Sequence, residues 1–92
     1  ITKTPTIKKA DIRIDCNHTA YLASMHIIAK DQKGLFAYIA KIFDDFKIEI
    51  ESAKLHTLNG YARDLILIEK NGNFCSKQEE IINLICINDK EI

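Results

Sequence analysis

An α+β sandwich, in which two helices cover one face of a four-stranded antiparallel sheet, is the fold class that this 92-residue sequence predicts. Three observations carry it. Apolar residues at Leu35, Phe36, Ile39, Ala40, Ile42, Phe43 and Phe46 recur with the spacing of a helix that buries a broad stripe, while Lys41, Asp44 and Asp45 face water. Asn59-Gly60 separates two strand-like runs, and a two-residue type I′ turn needs positive φ at both of its positions. Ser76-Lys77-Gln78-Glu79 reads as a capping box ahead of Ile81, Ile82, Leu84 and Ile85, which opens a second helix.

Taken in order, residues 1–10 hold Thr2, Thr4, Pro5 and Thr6 among scattered lysines without periodicity, and they read as a linker to a domain spanning 11–92. Segment 11–16 alternates strictly, with Ile12, Ile14 and Cys16 on one face, so it predicts a strand with one wet side. Segment 21–30 is a second extended stretch that shares Tyr21, Ala23, Met25, Ile27 and Ala29 on one face. The two can pair as an antiparallel arm. The first helix is expected over 34–46, with Asp31 as a cap. Segment 47–57 is strand-like but its parity slips, which places a bulge near Glu51-Ser52 or covers both faces. Segment 61–69 contains Leu65-Ile66-Leu67-Ile68, apolar on both parities, and is expected to run centrally. Asn71-Gly72 is a second turn, and 87–92 is expected as a short last strand or a frayed end. Strand, helix, strand, strand, helix and strand, with an extra strand in front, is the split βαβ or ferredoxin-like βαββαβ order. Its uncovered face exposes aliphatic residues, so pairing with a second copy or docking in a longer chain is expected. The sequence begins with Ile1 rather than Met, and a fragment of a longer protein is the expectation.

Thirteen basic and thirteen acidic residues cancel, and no basic run exceeds Lys8-Lys9, so no nucleic-acid partner is expected. No apolar run has the roughly 18 residues of a membrane span. A cytoplasmic protein is expected, with Cys16, Cys75 and Cys86 as reduced thiols, because their odd number closes no complete disulfide set. No ligand spacing announces a metal among His18, His26, His56 and the cysteines, and no cofactor is expected.

The run His26-Ile-Ile-Ala-Lys-Asp31-Gln-Lys-Gly34-Leu-Phe-Ala-Tyr-Ile-Ala40, then Ile48-Glu-Ile50-Glu-Ser52-Ala53-Lys-Leu55-His-Thr57, then Gly60-Tyr-Ala-Arg-Asp64-Leu-Ile-Leu-Ile, resembles an ACT domain. More narrowly, the preceding arm with Asp15 and Asn17, and the later Asn71-Gly72, make it similar to the ACT domains that close bacterial PII uridylyltransferase/uridylyl-removing enzymes. Gln32-Lys33 stand where that family commonly has Arg-Pro. The resemblance implies a ferredoxin-like regulatory module that binds an amino acid, glutamine in preference. It also implies side-by-side pairing as a homodimer or with a neighbouring ACT domain, and allosteric control of catalytic domains elsewhere in a nucleotidyltransferase chain. The segment itself is expected to bind and not to react.

A strand that turns directly into a helix aims unpaired backbone N–H groups at one spot, which suits a carboxylate. The expected site is therefore Asp31, Gln32, Lys33, Gly34 and Leu35. The N–H groups of Lys33, Gly34 and Leu35 would receive the α-carboxylate, Asp31 or Gln32 the ammonium or side-chain amide, and Ser52 and Lys54 would complete the pocket across a pair interface. An interaction module of the same fold with no metabolite is the alternative. An RNA binder would need sheet-face aromatics and a basic surface, and an acylphosphatase-like enzyme an arginine phosphate cradle; the sequence offers chiefly Tyr21 and Tyr61 for the first and only Arg13 and Arg63 for the second.

Overall fold

The computed structural model describes residues 4–70 and 72–90. The elements run β1 (Ile12–Asp15), β2 (Leu22–Lys30), α1 (Leu35–Asp45), β3 (Ile50–Leu58), β4 (Tyr61–Glu69) and α2 (Gln78–Ile85), with a 3-10 turn at Lys9–Asp11 ahead of them. The sheet is antiparallel in the order β1-β2-β4-β3. Two helices on one side of four antiparallel strands make the expected ferredoxin-like α+β arrangement.

One strand comes from the other end of the chain. The expected last strand does not form over the described residues 87–90, where Ile87 and Asp89 donate into turns, and residues 91–92 lie outside the described residues. The N-terminal β1 fills the edge beside β2 instead, pairing Ile12 with Ile27 and Asp15 with Ser24. A short loop from β1 to β2 reaches that edge with little closure entropy, so no return from α2 is needed to complete the sheet.

Local signals and structure agree where the signal is strong. Asn59 and Gly60 both have positive φ, 53° and 80°, and join β3 to β4 as the turn chemistry requires. The β3–β4 register shifts between Ile50 and Ser52, at the expected bulge. At the end of α1, Lys47 takes a left-handed φ of 57°. Its N–H donates to Asp44 O and that of Ile48 to Phe43 O, both at 2.9 Å, a Schellman closure that turns Ile48 back toward the core.

The core joins Ala23, Met25 and Ile27 of β2 to Ile66 and Ile68 of β4, beneath Ile39 and Phe43 of α1 and Ile81 and Ile85 of α2. Three of its features were not expected. Ile7, in the stretch read as a linker, is fully buried, and Pro5 beside it is buried. Residues 4–10 therefore pack as part of the fold, while residues 1–3 lie outside the described residues. Phe74 is also fully buried, its ring centroid 5.6 Å from that of Phe43. Cys16 and Cys75 form a disulfide that ties the end of β1 to the turn before α2, in place of the reduced thiols expected. Only Cys86 is free, and burial first of all pushes its thiol pKa up, which keeps it unreactive.

The capping box does not form. α2 starts after Lys77 with no side-chain cap, and Ser76 Oγ donates instead to Asn73 O at 3.2 Å, because residues 74–77 already turn to seat Phe74. Asn71 of the expected second turn lies outside the described residues. Tyr38 on α1 closes the other end of α2: its hydroxyl reaches the carbonyls of Leu84 and Ile85, both at 3.0 Å, and satisfies acceptors that a helix end leaves open.

Candidate functional site

At the end of β2 the chain turns into α1 beside the tip of the β3–β4 hairpin. Asp31 N–H donates to Gly60 O at 2.9 Å, which fixes the turn against the tip. Gly34 is the N-cap of α1 with φ 76°, and no atom lies within 4 Å of where its Cβ would stand. Left-handed backbone, not close approach, is what requires glycine there. A cleft of about 260 Å³ opens at this corner, lined by Asp31, Gln32, Gly34, Leu35, Phe36 and Ala37 together with Leu55, Thr57, Ala62 and Asp64.

The structure thus gathers four of the expected site residues, Asp31, Gln32, Gly34 and Leu35, and leaves three outside. Lys33 does not line the cleft. Ser52 and Lys54 pair with Leu67 and Leu65 on the opposite face of the sheet, so they do not approach it within one copy.

The roles inside the cleft also shift. Gln32 is consumed by the fold: its Oε1 accepts from Thr6 N–H at 2.8 Å, and its Nε2 donates to Thr6 O at 2.8 Å and to Lys30 O at 3.0 Å. It clamps the N-terminal segment, a role in place of contact with a ligand's polar groups. Leu35 N–H is spent on Gln32 O at 3.2 Å. Asp31 makes no side-chain cap on α1, because Gly34 occupies the cap position. Phe36 and Ala37, the second and third residues of the helix, carry amide N–H groups with no intrahelical acceptor, and both line the cleft. Of the three N–H groups expected to receive a carboxylate only that of Leu35 is spent, and Phe36 and Ala37 stand beside Gly34 in the cleft lining.

Asp64 is the residue that sequence reasoning placed in the family pattern but not in the site. It is buried, on the helix-facing side of β4 opposite Leu55. Burial is the main cause holding its carboxyl above the ordinary carboxylate value, and the nearby Asp31 carboxylate adds to it. A backbone hydrogen bond from His56 and the charge of His26 pull the other way. An Asp just ahead of the apolar run Leu65-Ile66-Leu67-Ile68, on the same parity as Ala62, Ile66 and Ile68 of the central β4, was the available signal, since a buried carboxyl needs a reason. Carboxylates on one wall and free helix N–H groups on another suit a small zwitterion: the first meets an ammonium, the second a carboxylate. The volume falls just below the span of about 300–1,000 Å³ common for ligand pockets, which fits a molecule of amino-acid size.

A larger depression of about 630 Å³ lies near the opposite end of the sheet, lined by Ala20, Tyr21, Leu22, Glu51, Glu69 and Lys70. It lacks a helix terminus, and Lys70 Nζ is engaged by Thr19 O at 3.2 Å, so its size is not matched by convergent polar groups. Among the described residues no helix is long and apolar enough to cross a membrane.

No family model matches the chain. Two curated relatives are similar to it, both bifunctional uridylyltransferase/uridylyl-removing enzymes. That of Chromobacterium violaceum is 38% identical over 60 residues, covering 65% of this chain and 7% of the enzyme. That of Pseudomonas syringae pv. tomato is 31% identical over 74 residues, covering 72% of this chain and 8% of the enzyme. The chain spans less than a tenth of the length of the curated relatives it matches.

Proposed function

We propose that this chain is an ACT-type regulatory module that binds a free amino acid, glutamine in preference, and biases the catalytic domains of a uridylyltransferase/uridylyl-removing type of enzyme. The premise is the similarity to a segment of such enzymes. The observation that carries the reading is the meeting, in one cleft, of the free N–H groups of Phe36 and Ala37 with the carboxylates of Asp31 and Asp64. The α-carboxylate lies at the start of α1, the ammonium between Asp31 and Asp64, and the side chain runs toward Leu55 and Thr57. The chain binds and does not react.

Pairing belongs to the same reading. β3 is an edge strand, exposed from Glu51 to Leu58, with Leu55 and Leu58 54% and 47% exposed. Such an edge offers unpaired backbone groups to a second strand. A second copy, or a neighbouring module of the same fold, added there covers Leu55 and deepens the adjoining cleft. Sedimentation is expected to give a dimer for the parent chain, while Leu55→Lys gives a folded monomer with weakened amino-acid binding. A parent chain that stays monomeric at high concentration overturns pairing between identical copies.

Calorimetric titration with glutamine tests the ligand. Saturating glutamine at 100 times its dissociation constant is expected to add about 2.7 kcal/mol of stability, and Asp64→Asn to remove the binding while the circular dichroism stays that of a folded protein. Because an ammonium favours the ionised carboxylate, affinity falls as pH drops through the raised Asp64 pKa. Stability runs in the opposite sense for this one group: its folded pKa lies above the ordinary 3.8, so its burial costs stability at neutral pH and the cost is relieved as pH falls toward 3.8. Asp64→Asn is therefore more stable than the parent at neutral pH, and that advantage shrinks on acidification. Absence of heat with every amino acid on a paired sample leaves the interaction module without a metabolite as the surviving reading.

A further inference from the structure

Residues 4–8 belong to neither a helix nor a strand, yet Pro5 and Ile7 are buried while Thr4, Thr6 and Lys8 are exposed. Alternation of that kind lays an extended strip on the fold with its apolar side inward. A strip outside the sheet has no ladder to satisfy its backbone, so its polar groups need partners from elsewhere. Two side chains supply them. Asn88 Nδ2 donates to Pro5 O at 3.2 Å, and Gln32 takes both backbone groups of Thr6: its Oε1 accepts from the N–H and its Nε2 donates to the carbonyl, each at 2.8 Å.

Gln32 is also where the strip meets the cleft. It lines that cleft, between Asp31, whose N–H is fixed to Gly60 O, and Gly34, the N-cap of α1. Its carbonyl accepts from Leu35 N–H at 3.2 Å, and its Nε2 has a further acceptor in Lys30 O at 3.0 Å. One residue thus closes the first turn of α1 with its main chain and holds the strip with its side chain. A zwitterion seated between Asp31 and the N–H groups of Phe36 and Ala37 spans residue 32 along the chain. It restrains the loop from which the Gln32 amide reaches Thr6.

Both hydrogen bonds to Thr6 are exposed, and such bonds gain only modestly over those that water offers in exchange. A segment held by few exposed bonds opens locally, without unfolding the sheet. Two states follow. In one the strip is docked and the Gln32 amide is engaged; in the other the strip is released and the loop that walls the cleft is loosened. A ligand that binds the docked state more tightly shifts the population toward it, and by reciprocity the docked strip raises the affinity by the same factor.

We infer that the N-terminal strip is the conformational readout of the amino-acid cleft, with the Gln32 amide as the positioning group that couples the two. The inference rests on the amino-acid reading of that cleft and adds the place where the effect of binding emerges, residues 4–8.

Nitrogen-15 NMR of the chain titrated with glutamine, and then with the other amino acids, separates binding from coupling. Shifts of the Phe36 and Ala37 amides read occupancy, and hydrogen exchange of Thr6 N–H reads the strip. Ligand at 100 times its dissociation constant is expected to slow Thr6 exchange at least about tenfold, toward the limit of roughly 100-fold reached when the released state does not bind. Asn88→Ala, outside the cleft lining, is expected to speed that exchange in the free chain and to keep its slowing by ligand. Gln32→Ala keeps the shifts of Phe36 and Ala37 and abolishes the slowing, and Gln32→Met reads the same contact should the alanine variant fail to fold. Occupancy shifts with Thr6 exchange unchanged in the parent chain, or a slowing that survives in Gln32→Ala, overturn the inference and leave the cleft standing. Absence of shifts at Phe36 and Ala37 with every amino acid overturns both.

Discussion

Cys16→Ser lowers the unfolding free energy of the oxidised chain by about 4 kcal/mol, the closure entropy released in the unfolded state when a cross-link over 59 residues is lost. Urea denaturation measures it. Cys75→Ser gives the same loss, and the double replacement adds nothing further, because both sulfurs belong to one bond. A reducing agent destabilises the parent chain by a similar amount and leaves either variant unmoved. Cys86→Ser serves as a control: it removes a buried thiol but leaves the sensitivity to reductant in place. A parent chain whose denaturation midpoint is indifferent to reductant would show that Cys16 and Cys75 are not bonded in solution.

Ile7→Ala costs about 2–5 kcal/mol, the usual range for truncating a fully buried aliphatic side chain. A linker residue would cost nothing. The same segment is held by Gln32 through Thr6 and by Asn88 Nδ2, which donates to Pro5 O at 3.2 Å. Loss of Ile7 packing is therefore expected to loosen the wall of the proposed amino-acid cleft as well as the core, since Gln32 lines that cleft and holds Thr6 beside Ile7. Thermal melting of Ile7→Ala checks the first effect, and titration with glutamine at a temperature where the variant remains folded checks the second.

The sequence disclosed what a few adjacent residues encode. The stripe of α1, the Asn59-Gly60 turn and the bulge near Glu51-Ser52 each depend on local spacing or on a backbone angle only some residues adopt, and each stands where it was expected. What escaped depends on partners far along the chain. Ile7 and Phe74 are isolated apolar residues among polar neighbours, and only the tertiary fold makes them core. The disulfide joins residues whose spacing carries no motif. Gln32 looked available because nothing nearby competes for its amide; Thr6, 26 residues away, does. The capping box failed for a related reason, as seating Phe74 fixes the turn that Ser76 would have needed. At the candidate site the strand-to-helix turn was legible, but which N–H groups stay free follows from the exact start of α1, the least reliable thing a periodicity gives.

The two edges of the sheet are unlike, and this bears on how far assembly can run. β1 is four residues long and fastened at its end by the Cys16–Cys75 bond, whereas β3 is nine residues long and exposed in all but Ile50. A sheet receptive along both margins can add copies indefinitely. In the proposed pairing a strand laid against β3 would find a long template, and the margin left on each outer side would be too short to seed another, so growth by strand addition would stop at two copies, a closed pair instead of a fibre.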